Sequence, residues 1–457
     1  PTSASSARRD ESSTVTDYAE DAARVAEELL QRIGEAAPQP RLDPTRRVAD
    51  LLGEPQRAYP VIHITGTNGK TTTARIIESI LRAYGLRTGL LTSPHLVRVN
   101  ERIVIDGEPI GDERLVANWD DIQPYLLMVD TELEAAGEPA LTYFEALTVL
   151  AFAAFADAPV DVAVIEVGMG GEWDSTNVAD GQVAVLAPIA LDHTHRLGAT
   201  VEEIARTKAG IIKPLAEVVT AMQEPEALAE IARAVELTES VLHAEGPAFE
   251  LESSEVAVGG QSITVRGLAA RYEDLYLPLY GDHQGHNAAL AIAAVEAFLG
   301  RGTQPLVPEV LADGLAGAAS PGRLQIIAAD PVVILDAAHN PHGARSLARA
   351  LPKYFDFDEI AFVIGILADK DAAGVVAELA PLAARWFPTS SGSDRALPAE
   401  EVAELLEETG AEHEPAMPLT EALRAAQAWA AEAPRRAVVV AGSITLVGDV
   451  LRMVEGG

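Results

Sequence analysis

The stretch Gly66-Thr67-Asn68-Gly69-Lys70-Thr71 has the residue types of a phosphate-binding loop. Its glycines let backbone N–H groups approach phosphate oxygens, and Lys70 can reach the terminal phosphates. The general nucleotide pattern leaves four residues between its first glycine and the closing Gly-Lys-Ser/Thr, whereas Gly66 and Gly69 are separated by two. The loop predicts a nucleoside triphosphate site of a short form. Before it, VIHIT reads as a buried strand. After it, Ile76, Ile77, Ile80, Leu81 and Tyr84 fall on one helical face that stops at Gly85.

Other chemically competent residues fall where strands should end. Ser93 and His95 follow TGLLT, Glu166 closes VDVAVIEV ahead of three glycines, Asp192 and His193 follow VAVLAPI, and Lys208 sits on a helix ending near Gly210. Taken singly, His193 reads as a loop residue and Lys208 as a solvated helix charge. Glu166 says more, because a carboxylate at the end of an apolar run is costly to bury unless it is paired or binds a metal, and Mg²⁺ beside a nucleotide supplies that partner.

The elements that must position these residues alternate between short β-branched runs and helical stretches, which implies parallel strands with crossover helices. The predicted fold class is α/β, with an N-terminal P-loop ATPase-like, mostly parallel sheet and a smaller C-terminal Rossmann-like α/β domain. Residues 1–17 are polar and aperiodic and read as a disordered tail. A leading helix runs from Tyr18 to Ile33 and opens a first domain over 18–312, with Phe249 to Leu279 as a small β insertion. Small residues and glycine at 313–320 mark a linker, and 321–457 form the second domain on the strands VVILD, IAFVIGI and AVVVAG.

Composition narrows the function. The 457 residues carry 34 basic and 69 acidic side chains, a net charge of −35 that repels nucleic acid and anionic bilayers. No basic patch offsets it. With no cysteine, disulfides and thiolate metal sites are excluded. No apolar run reaches membrane-spanning length, and the N-terminal segment lacks a signal-peptide core, so a soluble cytoplasmic protein is expected.

In chain order, GTNGKT, TSPHL, EVGMGG with Asp174 and TNV, LDHT, EEIA with KAGIIKP, HQ with Asn287, PGR, Asp336 with AHNP, and GS with TLVG resemble the folylpolyglutamate synthase family of the Mur ligase superfamily. The resemblance implies a ligase in which ATP phosphorylates a folate carboxylate and the amine of L-glutamate displaces phosphate. Dihydrofolate synthase activity on dihydropteroate is the alternative or a second activity. It further implies ATP contacts from Gly66, Thr67, Asn68, Gly69, Lys70, Thr71 and Thr72, with Asn287 on the adenine side, Arg323 on the phosphates, Asp336 near the ribose and His339 beside the nucleotide. One Mg²⁺ is implied at Ser93 and Glu166, and a second at Glu166, His193 and Lys208. An ammonium cannot ligate a cation, so Lys208 would have to be carbamylated. Lys70, Glu166, His193 and Lys208 form the implied catalytic set. Arg46 in RLDPTRRV, Thr142, Tyr143, Phe144 and Glu145 in LTYFE, and Asp174 are implied at the folate or pteroate site. Ser443 is implied to cap a helix or to touch glutamate or phosphate. The implied partners are small molecules, and a monomer is expected.

Two departures from the family pattern stand out. Thr71-Thr72 replaces Gly-Ser after the loop lysine, and Glu172-Trp173 replaces Arg-Leu, an anion for a cation near the expected substrate entrance. A muramyl-peptide ligase shares the mechanism, but it needs a further domain before the loop, and 65 residues precede Gly66.

Overall fold

Eight runs, mostly buried, build the first sheet: β1 (Val61–Thr65), β2 (Thr88–Leu91), β3 (Ile103–Ile105), the exposed β4 (Glu108–Pro109), β5 (Val162–Glu166), β6 (Gly181–Leu186), β7 (Glu217–Thr220) and β8 (Val241–Ala244). In the computed structural model, which describes residues 18–34, 37, 39–192 and 194–455, they order as β4-β3-β2-β5-β1-β6-β7-β8. The expected tail at 1–17 and His193 lie outside the described residues. Strands β2, β5, β1, β6, β7 and β8 are parallel, and β3 and β4 add an antiparallel edge.

Successive side chains of a strand point to opposite faces, and the two faces here have different partners. Ile62, Ile64, Val162 and Val164 pack with the helices Lys70–Ala83, Asp282–Gly300 and Pro308–Ala316. Val61, Ala163 and Ile165 face the helices Ala19–Leu30, Asp43–Leu51, Asp112–Ala136 and Tyr143–Asp157. Both faces being covered explains why β1 and β5 are buried at every position.

The predicted β insertion is an antiparallel sheet of β9 (Glu250–Ala257), β10 (Gly260–Arg266) and β11 (Arg271–Leu277). Its inward residues Ile263, Val265, Leu275 and Leu277 join the core around the helix Asp282–Gly300. The expected linker is shorter than the sequence suggested. Its first four residues belong to the helix Pro308–Ala316, where Leu315 is buried and a Cβ on Gly314 would lie 2.7 Å from the Ile80 Cα. Gly314 thus serves close helix packing, and the small residues there are not a flexible tether.

The second unit is a five-stranded sheet of β12 (Gln325–Ala329), β13 (Val332–Leu335), β14 (Glu359–Ile364), β15 (Ala383–Pro388) and β16 (Arg436–Ala441), ordered β12-β13-β16-β14-β15. All neighbours are parallel except β12 against β13. Helices Pro341–Tyr354, Ala372–Leu379 and Ala399–Thr409 cover one face, and Leu419–Ala431 and Ile444–Glu455 the other. Parallel strands put their carboxyl ends on one edge, which is where ligand sites of open α/β sheets form.

Candidate active site

A cavity of about 2640 Å³ lies between the carboxyl edges of the two units. A site for one small ligand occupies roughly 300–1,000 Å³, so this one has room for several. The loop after β1 enters it through two positive-φ glycines. At Gly66 (φ 150°) a Cβ would meet Ala187 at 2.7 Å, and at Gly69 (φ 83°) it would meet the Asn287 Oδ1 at 2.5 Å. Only glycine fits either place. Thr67 and Asn68 donate their backbone N–H groups to the Pro188 carbonyl at 2.9 and 3.4 Å, so these amides fold the loop instead of facing a ligand. The free donors are at the first turn of the helix Lys70–Ala83, whose N-terminus carries partial positive charge. Half-buried Lys70 makes no hydrogen bond or ion pair among the described residues, leaving its ammonium for an anion.

Glu166 ends β5 fully enclosed beside this loop. Its carboxylate accepts from the Thr71 hydroxyl at 2.9 and 3.0 Å and from the Ser93 N–H at 3.4 Å. Burial raises its pKa, and Lys70, Thr71, Ser93 and Arg75 pull the other way. Thr71 therefore reaches Glu166, and Thr72 is buried against the Ser320 hydroxyl at 2.8 Å; neither presents an idle hydroxyl to phosphate. Lys208, on the helix Val201–Ala209, is buried and donates to the Gly66 carbonyl at 2.7 Å. Burial and the nearby Lys70 charge push its pKa down to about 7.

Beyond the junction, Arg323 lines the cavity, half-buried, with no side-chain hydrogen bond or ion pair among the described residues. Asp336 is enclosed at the end of β13 and accepts the Leu324 and Ala338 N–H groups, each at 2.9 Å. His339 lines the cavity, with burial and Lys370 pushing its pKa down to about 4. Asn287 is not a helix cap. It is buried inside the helix Asp282–Gly300, against Gly69, and donates to Gln284 at 2.9 Å. Ser443 does cap: its buried hydroxyl accepts the Leu446 N–H at 3.0 Å.

The Mur ligase middle domain family matches residues 64–295, and the Mur ligase, glutamate ligase domain family matches 322–444. A Mycobacterium tuberculosis dihydrofolate synthase/folylpolyglutamate synthase is 46% identical over 385 residues, covering 80% of this chain and 78% of its own. The folylpolyglutamate synthase of Lacticaseibacillus casei is 38% identical, covering 92% and 96%. The chain belongs to the folylpolyglutamate synthase family of Mur ligases. A structure of the Mycobacterium tuberculosis folylpolyglutamate synthase complexed with ADP superimposes with a TM-score of 0.90 at 41% identity, covering 96% of this chain and 99% of that one.

In this folylpolyglutamate synthase relative, the wall expected to receive the pterin is partly structural. Thr142 and Glu145 form a reciprocal cap at the start of the helix Tyr143–Asp157, with Glu145 N–H to the Thr142 hydroxyl at 3.2 Å and Thr142 N–H to Glu145 at 2.7 Å. Asp174 accepts from Met169 N–H at 2.9 Å and from the Thr176 N–H and hydroxyl at 3.0 and 2.5 Å, which fixes the loop after Glu166. Tyr143 is buried with the Arg102 guanidinium 5.1 Å from its ring centre, and Phe144 lines the cavity against Gly168.

Arg46 is misplaced by the sequence reading. It sits on the outer face of the helix Asp43–Leu51, exposed and paired with Asp43, away from the cavity lining. Arg41 in the same segment does line the cavity, bound to Glu145 at 3.0 Å. Glu172 is exposed and outside the lining, and Trp173 is the member of that pair that reaches the cavity. Residues that the sequence reading passed over include Arg75, Lys370, which pairs with Asp192 at 3.1 Å, and Asn340 and His342, which meet Asn68 across the two units at 3.4 and 3.1 Å. For Arg75 the available signal was its spacing, four residues after Thr71.

Proposed function

We infer that the chain is an ATP-dependent ligase that joins L-glutamate to the γ-carboxylate of a folate, with dihydropteroate as a second acceptor because the Mycobacterium tuberculosis relative bears both names. The observation that carries the reading is the convergence of unpaired Lys70 and Arg323 with enclosed Glu166 on one cavity at the carboxyl edges of both sheets. An acceptor carboxylate oxygen attacks the γ-phosphorus of ATP and ADP leaves, giving an acyl phosphate. The neutral amine of L-glutamate then attacks the acyl carbon, the C–O bond to phosphate breaks, and the amide nitrogen loses its proton. The first step brings several negative charges together, and Lys70, Arg323 and the helix N-terminus offset that repulsion.

The residues suit Mg²⁺. Ser93, Thr71 and Glu166 offer hard oxygen donors, and the enclosed Glu166 carboxylate lacks an ion-pair partner of its own. The metal would neutralise phosphate charge there. Among the described residues, no three histidine, aspartate or glutamate side chains gather at one ion site. A second ion therefore depends on His193, which is outside the described residues, and on Lys208. The Lys208 amine is bound to a carbonyl and would have to become a carbamate before offering oxygens. A pKa near 7 makes its neutral, carbon dioxide-reactive form accessible.

Glutamate-dependent release of ADP, measured separately with tetrahydrofolate and dihydropteroate, tests the reading. ADP release with neither acceptor refutes it, and release with one alone fixes the specificity.

A further inference from the structure

The helix that opens with Lys70 carries a second cation in the cavity wall. Arg75 lines the cavity and makes no hydrogen bond or ion pair among the described residues. Three carboxylates are close enough to act on it, Glu166, Glu101 and Glu78, yet each is committed elsewhere. Glu166 holds Thr71 and the Ser93 N–H. Glu101 accepts the N–H groups of Leu96, Val97 and Arg98 at 2.8, 2.7 and 2.6 Å. Glu78 takes the Arg82 Nε at 3.0 Å and the Thr88 hydroxyl at 2.6 Å.

Five other cations of the cavity are paired with carboxylates: Arg41 with Glu145, Arg98 with Asp112, Arg345 with Glu378, Arg395 with Asp369 and Lys370 with Asp192, whereas Arg349, also unpaired among the described residues, is exposed to solvent. A partly desolvated guanidinium that no carboxylate contacts directly has unfilled donors in the empty protein, which a ligand carboxylate would fill.

Position selects the ligand. Five residues beyond Lys70 is roughly 7.5 Å further along the helix axis. Arg75 shares a helix face with Thr71 and Thr72, four and three residues before it, and those side chains touch Glu166 and Ser320. It therefore lines the cavity past the phosphate end of the helix. Lys70 and Arg323 are already free for phosphate. A guanidinium fork fits a carboxylate with two parallel hydrogen bonds.

We propose that Arg75 is a substrate-binding residue that holds a carboxylate of the glutamyl chemistry, belonging either to free L-glutamate or to the glutamyl end of the acceptor. This rests on the ligase reading above. The parent enzyme's glutamate-dependent ADP release checks that reading, and the ratio of variant to parent KM checks Arg75, so either can fail while the other stands.

The test uses the full chain with Arg75→Met and Arg75→Lys, and measures KM for L-glutamate, folate and ATP together with the melting temperature of the ligand-free protein. A rise of tenfold or more in KM for L-glutamate assigns the free amino acid, and the same rise for folate assigns the acceptor. In both cases Arg75→Lys recovers part of the loss, KM for ATP stays within about threefold, and Arg75→Met melts no lower than the parent. A KM change confined to ATP, all three KM values within twofold, or a variant that melts several degrees lower would overturn the proposal.

Discussion

At the residue scale, the unpaired state of Lys70 carries the strongest expectation. Lys70→Ala is expected to cut ATP turnover a hundredfold or more while leaving the fold intact, since the ammonium contributes to charge on the transferring phosphoryl group and little to packing. Turnover within a few-fold of the parent would refute the loop assignment. Lys208 makes a different wager. In a high-resolution map of the Mg-ATP complex, extra density beyond Nζ marks the carbamate, and short carboxylic acids are expected to restore part of the activity of Lys208→Ala. A bare amine still bound to the Gly66 carbonyl in an active, metal-loaded crystal would exclude the ligand role. Most of the candidate residues that the structure brings to the cavity were legible because glycine, lysine and carboxylate identities at strand ends report chemistry directly. Arg46 and Arg41 were not distinguishable that way. Five residues apart in one segment, they differ only in which side of the turn into the helix Asp43–Leu51 they occupy, a matter of packing.

At the scale of elements, the structure turns several supposed ligand residues into supports. Thr142→Ala removes half of the reciprocal cap on the helix Tyr143–Asp157 and is expected to lower stability by about 1 kcal/mol in denaturant titration. A larger effect on folate KM than on stability would return Thr142 to the substrate. Gly314→Ala places a methyl 2.7 Å from backbone at Ile80 and is expected to cost roughly 1–3 kcal/mol, where a true linker would tolerate it. The central strands were legible because β1 and β5 are buried on both faces and are dominated by Val, Ile and Ala without polar alternation. Strands β3, β4, β7 and β8 were not among the runs read. They have two to four residues each and lie at or next to the sheet edges, too short for a periodic signal, and pairing with their neighbours defines them. Strands β12 and β15, with five and six residues, were not read either; they are the edges of the second sheet, and neither is buried along its whole length.

At the scale of the whole molecule, buried histidines set an acid limit. His63 on β1 is fully enclosed, donates through Nε2 to the Thr176 hydroxyl at 2.9 Å, and has its pKa pushed down by burial to about 3. The unfolded chain takes up this proton near pH 6.5 and the folded one does not, so stability is full above that pH and falls as pH drops toward 3. The slope from this residue is about 1.4 kcal/mol per pH unit. His283 and His339, both pushed down to about 4, steepen it. Urea titrations between pH 7 and 5 are expected to show the decline, and His63→Gln a shallower one; a flat profile would mean that these rings protonate in the fold. Ligands bridging the two units are also expected to shrink the radius of gyration in solution scattering with an ATP analogue and folate, and superimposable curves would count against closure. The contact of Asn68 with His342 and Asn340 has a consequence of its own, because the loop proposed to receive phosphate is also a clasp between units. Posture and affinity then share one free energy, and reciprocity follows: whatever factor by which nucleotide favours the clasped arrangement, the clasp tightens nucleotide by the same factor. A change at His342 that leaves the loop sequence untouched is therefore expected to retune the hold on ATP, which would make the seam an affinity dial separable from the chemistry.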